Sequence, residues 1–229
     1  MAVFLSVLLG AGPAGASSSA LTGKSASQIL AISLAAARSQ GSVHITQTGR
    51  FGGPSKSTML DQSLTKGREL DTGGAGKGEI LVIGGVAYVK GTTSYLTNMG
   101  FSQLDAAKGA GKWISFRKGQ PGYGGVADDE TLDQTLVDAV PDQPLTTPLA
   151  TTLHGQPVFE ITGIANRGAS GQVTFYVSAN APYLPVEVVD NLAIPSGPPI
   201  NFTMRLSKWH EAVSVSAPSG STPVTSLVG

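Results

Sequence analysis

Two segments in the last third of the chain alternate almost without fault, and that alternation limits the fold more than any other feature. Val173, Phe175 and Val177 oppose Gln172, Thr174, Tyr176 and Ser178. Ile200, Phe202, Met204 and Leu206 oppose Asn201, Thr203, Arg205 and Ser207. Successive side chains of a strand point to opposite faces, so each segment predicts a strand with one apolar and one wet face. Strands of that kind belong to an antiparallel sheet packed on one side. Val158 to Ile161 and Pro185 to Val189 predict two more, separated by Gly, Pro and Asn.

The rest of the chain supplies the cover and further strands. Ser25-Ala26-Ser27-Gln28 has capping-box spacing. A helix is expected from there to about Gln40, with Ile29, Leu30, Leu34 and Ala37 on one side and Gly41 as its stop. Val43 and Ile45 then alternate with polar neighbours. Gly49 to Lys56 reads as a turn and Thr58 to Thr65 as a weaker strand. Gly78 to Lys90 holds two apolar runs around Gly84-Gly85, a hairpin signal. Thr92 to Ala110 predicts short helices, and Lys112 to Phe116 a strand carrying Trp113. Asp128-Asp129-Glu130 puts acid where the first turn of a helix favours it, before Leu132, Leu136, Val137 and Val140, with Pro141 as the stop. Ser17 to Lys24 reads as a flexible lead-in and Pro218 to Gly229 as a disordered tail, leaving 25–217 as one domain. The sum is an α+β domain in which helices cover one apolar sheet face.

Composition narrows the function. Fifteen basic residues balance fifteen acidic ones, so charge gives no case for nucleic acid. There is no cysteine, which removes disulfides, thiolate metal sites and thiol nucleophiles together. Ala2 to Gly10 is apolar, and Pro13-Ala14-Gly15-Ala16 offers small residues for a signal peptidase, although no Lys or Arg precedes the run. An exported chain cleaved after Ala16 is expected, secreted or retained in the cell envelope.

The closing stretch Met204-Arg205-Leu206-Ser207-Lys208-Trp209-His210-Glu211-Ala212-Val213, followed by Val215 and Pro218, resembles the last strands of the LppX/LprG-type actinobacterial lipoproteins, within the wider LolA/LolB-like group. Other parts resemble the same family in the same order: Ser42-Val43-His44-Ile45, Val86-Ala87-Tyr88-Val89, Lys112-Trp113-Ile114, Gly155-Gln156-Pro157-Val158 and Tyr183-Leu184-Pro185-Val186. The resemblance covers roughly Ser25 to Pro218. It implies a strongly curved antiparallel half-barrel whose concave face and covering helices enclose an apolar cavity for acylated lipids, glycolipids or lipoproteins. Members of the lipoprotein branch carry a lipobox cysteine, whereas Ala14-Gly15-Ala16-Ser17 stands here. Covalent anchorage is therefore not expected, and membrane contact would be peripheral.

A lipid cavity needs shape and apolar lining. Val82, Tyr88, Val173, Phe175, Val177, Phe202, Met204 and Leu206 are the candidates to line it, each of which could equally fill an ordinary core. Met204 suits variable acyl chains because its thioether is unbranched. Trp113 and Trp209 could ring the mouth or anchor the sheet edge. Enzymatic readings find little: His44, His154 and His210 are scattered, no H-E-x-x-H or G-x-S-x-G occurs, and the acidic run at Asp128 is explained by a helix start. Gly10 to Gly15 matches G-x-G-x-x-G without a strand–helix context. No metal, cofactor or catalysis is expected, and the chain should act as a monomer. The rival reading is a protein-interaction or sensor module of the envelope with the same fold.

Overall fold

A computed structural model describes residues 19–51, 54–74, 76–128, 130–165, 170–193 and 197–227. The signal segment and Ala16 lie outside the described residues. A helix, α1 (Ala26–Gln40), precedes β1 (Ser42–Phe51), β2 (Ser55–Ser63), β3 (Lys66–Gly73), β4 (Gly78–Ile83) and β5 (Val86–Gly91). Helices α2 (Thr93–Asn98) and α3 (Gln103–Gly109) lead to β6 (Ile114–Arg117), then α4 (Tyr123–Ala127) and α5 (Leu132–Asp138). The strands β7 (Leu149–Leu153), β8 (Gln156–Ile164), β9 (Ser170–Ser178), β10 (Pro185–Ala193), β11 (Ile200–Ser207) and β12 (Thr222–Pro223) follow, with a 3-10 turn at Val224–Ser226.

Local chemistry accounts for these boundaries. The Ser25 hydroxyl accepts from the Gln28 amide while Gln28 reaches back to the Ser25 amide, the reciprocal cap its sequence implies. Gly41 takes the left-handed conformation that ends α1. Gly84 and Gly85, both at positive φ, turn the β4–β5 hairpin, with Ile83 opposite Val86.

One sheet runs in the order β12-β6-β5-β4-β3-β2-β1-β11-β10-β9-β8-β7, antiparallel except where β12 joins β6 in parallel. Next to its middle β1 pairs with β11, so the N-terminal run of strands and the C-terminal run meet there. The fold is α+β, a curved antiparallel half-barrel with helices on its concave face. Gly49 and Gly171 mark bends: each has positive φ, and a side chain there would strike the neighbouring strand at Asn201–Phe202 or Asn191–Leu192.

The concave face carries two apolar clusters. Under α1 and α5, Ile29, Leu30, Leu132 and Leu136 pack on Val43, Ile45, Ile161, Phe175, Val177 and Leu206. At the other end Tyr95, Leu96, Ala106 and Val126, from α2 to α4, pack on Ile80, Val82, Val89 and Ile114. Between them β2 and β3 turn Thr58, Gln62, Glu69 and Asp71 inward, a polar seam.

Four sequence expectations are corrected. The lead-in is tied down: Leu21 is buried in the first cluster and the Ser19 hydroxyl donates to the Ala179 carbonyl. The tail expected from Pro218 instead forms β12, with Val224 and Leu227 buried in the second cluster. The turn expected over Gly49 to Lys56 is shorter, since β1 runs to Phe51 and the weak strand, present as β2, starts at Ser55; charged Lys66–Gly73, not read as a strand, pairs on both sides as β3. The acidic run does not open α5. Asp128 ends α4, Asp129 lies outside the described residues, and Glu130 is buried with its carbonyl where a Gly67 side chain would stand.

Candidate ligand cavity

Cross-strand register places the candidate residues before any cavity is considered. One row across the concave face reads Gly163, Val173, Asp190, Phe202, Gly49 and Lys56, from β8 through β9, β10, β11 and β1 to β2. The next row reads Ile161, Phe175, Val188, Met204, Gln47, Thr58 and Asp71. Glycine leaves the first row short of side chains, and Asp190 and Lys56 give it polar members within apolar surroundings.

A cavity of about 360 Å³ opens over these rows. Val173, Val188, Leu192, Phe202 and Met204 make its apolar wall, and Gln47, Lys56 and Glu69 face it from β1 to β3. Thr135 and Asp138 of α5, with Ala139 just after it, border the cavity from the covering side. The wall draws on six neighbouring strands, β3 to β9 in sheet order. Laid flat at ~4.8 Å apart they would span about 24 Å. One small cavity touches all of them, so the sheet wraps around it.

Of the eight candidates, Val173, Phe202 and Met204 line this cavity. Phe175, Val177 and Leu206 share the concave face but are core, buried under the cover. Val82 is also concave yet belongs to the second cluster, beyond the polar seam. Tyr88 stands opposite Leu81 at the parity contrary to Ala87 and Val89, so it faces the convex side and cannot reach the cavity. Neither Trp rings the mouth: Trp209 packs against the first cluster, and Trp113 lies under the Lys90 ammonium at 5.7 Å.

The polar lining was not foreseen. Gln47, Lys56, Glu69 and Asp190 come together through register, which no local pattern displays. Parity from Val188 was the one available signal for Asp190. Its surroundings are unusual for a carboxylate. The Oδ1 atom is buried with no hydrogen-bond partner among the described residues, and burial pushes the group up to about 6. Lys56 is held 3.2 and 3.3 Å from the Asp71 carboxylate oxygens, to which Thr58 also donates. Glu69 borders the cavity and is otherwise enclosed by protein. Burial first, then the Asp71 charge, push it up to about 8 against the pull of Lys56. Glu69 is thus largely protonated at neutral pH, sharing hydrogen bonds with Asp71 and Glu130. Burial, with the Glu69 and Asp71 charges, likewise raises the Tyr95 hydroxyl, which hydrogen-bonds Asp71.

The histidines lie apart. His44 Nδ1 is 2.7 Å from Asp61, His154 Nε2 is 3.0 Å from Glu187, and His210 Nδ1 is 3.1 Å from the Gln40 carbonyl. Glu187 is buried on the convex side and also receives Arg205 Nε at 2.8 Å, which fastens β10 to β11. Among the described residues, no group of three or more His, Asp or Glu is arranged to hold a metal ion. None of the described helices is long and apolar enough to cross a membrane.

The chain is similar to two solved structures. One is LprF from Mycobacterium bovis, at 18% identity and a TM-score of 0.47, covering 84% of this chain and 96% of that one. The other is an uncharacterized conserved protein from Thermus thermophilus, at 11% identity and a TM-score of 0.49, covering 86% and 97%. No protein-family model matches the chain, and no curated protein matches it.

Proposed function

We propose that the protein binds a lipid or acylated ligand non-covalently in the concave cavity and carries it through the cell envelope without altering it. The observation behind this reading is a 360 Å³ space with Val173, Val188, Phe202 and Met204 as one wall. Apolar clefts of roughly 300–1,000 Å³ with a few fixed polar groups are what small-ligand sites look like. Affinity would come from burying methylenes, at about 0.8 kcal/mol each. The motif order from Ser42 to Pro218, similar to that of lipid-carrying proteins, supports the same reading. The apolar start and Ala14-Gly15-Ala16 support export.

Native mass spectrometry of the protein purified from its own host, followed by organic extraction, tests the proposal. The expected result is a reproducible adduct whose extract contains an alkyl or acyl chain. A clean unliganded mass, in a protein that also refuses added lipids, would overturn it in favour of a protein-interaction module.

A further inference from the structure

The cavity is small and two-sided, and both properties say something about its ligand. At ~30 Å³ per heavy atom, the share one water takes in the liquid, 360 Å³ holds roughly a dozen atoms. That is one short chain, or one end of a longer one. The apolar wall on β9 to β11 is broken by a single charged side chain, Asp190, between Val188 and Leu192 at the same parity. Its cross-strand neighbours are Val173 and Phe202. Neither can donate a hydrogen bond, and Oδ1 is left without a partner among the described residues. The charged or titratable groups that share the cavity are Lys56 from β2, Glu69 from β3 and Asp138 from α5. Lys56 is drawn to Asp71 across the sheet, and Asp138 receives the Gln134 side-chain amide at 3.0 Å. A buried acceptor without a donor is unfavourable unless something else supplies one.

We propose that the cavity selects a single-chain amphiphile bearing a protonated amine, with Asp190 as the carboxylate that receives the amine while the chain lies against Phe202 and Met204. The inference rests on the cavity being a hydrophobic ligand site, as argued above. An ammonium group supplies both what Asp190 lacks, a hydrogen-bond donor and a compensating charge.

Decylamine, decanol and decanoate share one chain and differ in the head, so they separate the two claims. Binding of each, below its micelle concentration, is measured by calorimetry on the full chain and on Asp190→Asn. Decylamine should bind at least ~10-fold more tightly than the other two, a difference of about 1.4 kcal/mol. Asp190→Asn should erase that preference while decanol still binds, and its thermal midpoint should equal or exceed that of the unsubstituted protein. As pH falls from about 7.5 to about 5, Asp190 takes up its proton and the preference should shrink in the unsubstituted protein too, a readout that needs no variant. Equal binding of decylamine and decanol, or a preference that survives in Asp190→Asn, would overturn the amine assignment and leave the cavity standing. Failure of all three probes to bind would overturn the cavity reading, and the assignment with it.

Discussion

The two ends of the concave face begin from the same kind of strand and finish differently. On β4 to β6 the inward residues are covered by α2 to α4 and form a filled core. Gly78 lies opposite Gly91 in the β4–β5 pair, and the notch they leave is taken by the Tyr95 ring, which stands where either side chain would be. On β9 to β11 and β1 most inward residues are apolar, with Asp190 and Gln47 among them, and Gly49 thins a row. There Thr135 of α5 and Ala139 just after it share a space with Phe202 and Met204, and a cavity remains. Whether an alternating strand ends in a core or a cavity therefore depends also on what faces it: the Tyr95 ring at one end, Thr135 and Ala139 at the other.

Breaking the filled end should have the largest effect. Gly78→Ala puts a methyl group into the Tyr95 ring, and the ring is itself wedged over Gly91. A rigid aromatic cannot yield as a flexible chain end would, so the substitution should lower unfolding free energy by about 3 kcal/mol. Urea denaturation measures this directly. A loss below about 1 kcal/mol would mean that the notch has slack and that the contrast between the two ends is overdrawn.

The seam between the ends comes next. Glu69 titrates near 4.5 in an unfolded chain and near 8 in the fold, so the folded state holds its proton more tightly. Its contribution to stability is fully present below about pH 4.5 and is lost as pH rises through about 8. Asp190, pushed from 3.8 to about 6, acts with the same sign over a lower window. Stability should thus fall between about pH 5 and pH 9 by a few kcal/mol from Glu69. Glu69→Gln should remove most of that slope, as seen in denaturation midpoints at both pH values. An unchanged slope would place the proton elsewhere in the seam, on Asp71 or Glu130.

At the cavity end, filling is the informative change. Ala139→Leu sends three carbons from the end of α5 into the empty volume, imitating what Tyr95 does for the other end. Stability should stay within about 1 kcal/mol, because overpacking requires a site with no room. Ligand affinity should drop at least ~10-fold, or 1.4 kcal/mol. A large stability loss with binding intact would show that ligand sits outside this volume.

The contrast between the ends also explains which features the chain made legible. The sheet was readable because alternation is local: the strands around Phe175 and Phe202 and the hairpin at Gly84-Gly85 stand as expected. β3 was missed because Lys66, Arg68, Glu69 and Asp71 put charge on both faces of a strand that is nonetheless paired on both sides. The tail was misread because two apolar residues, Val224 and Leu227, are enough to dock it, too few to make a periodic signal. Of the cavity, Val173, Phe202 and Met204 were recognisable by parity. Tyr88 was not excluded until register fixed which face of β5 was concave. The polar lining depends on which strands become neighbours, and β1 meets β11 across about 150 residues of sequence.

The smallest effect concerns how the cavity is covered. Helices α1 and α5 meet there, and besides their buried leucines they share a surface ion pair, Arg38 Nε to Asp133 Oδ1 at 2.6 Å. Both side chains are substantially exposed, 42% and 56%, so water screens the pair and its worth to the fold is at most about 0.5 kcal/mol. Arg38→Gln should therefore barely shift the denaturation midpoint. Its consequence should be kinetic: with the clasp gone, α5 separates from α1 more often, and a bound amphiphile should leave up to ~2-fold faster in stopped-flow displacement, the rate that 0.5 kcal/mol corresponds to. Added salt should speed release from the unsubstituted protein and leave the variant unaffected. If release is equally fast in both proteins and indifferent to salt, ligand exits past the strands, and the cover over the cavity is as fixed as the one over the filled end.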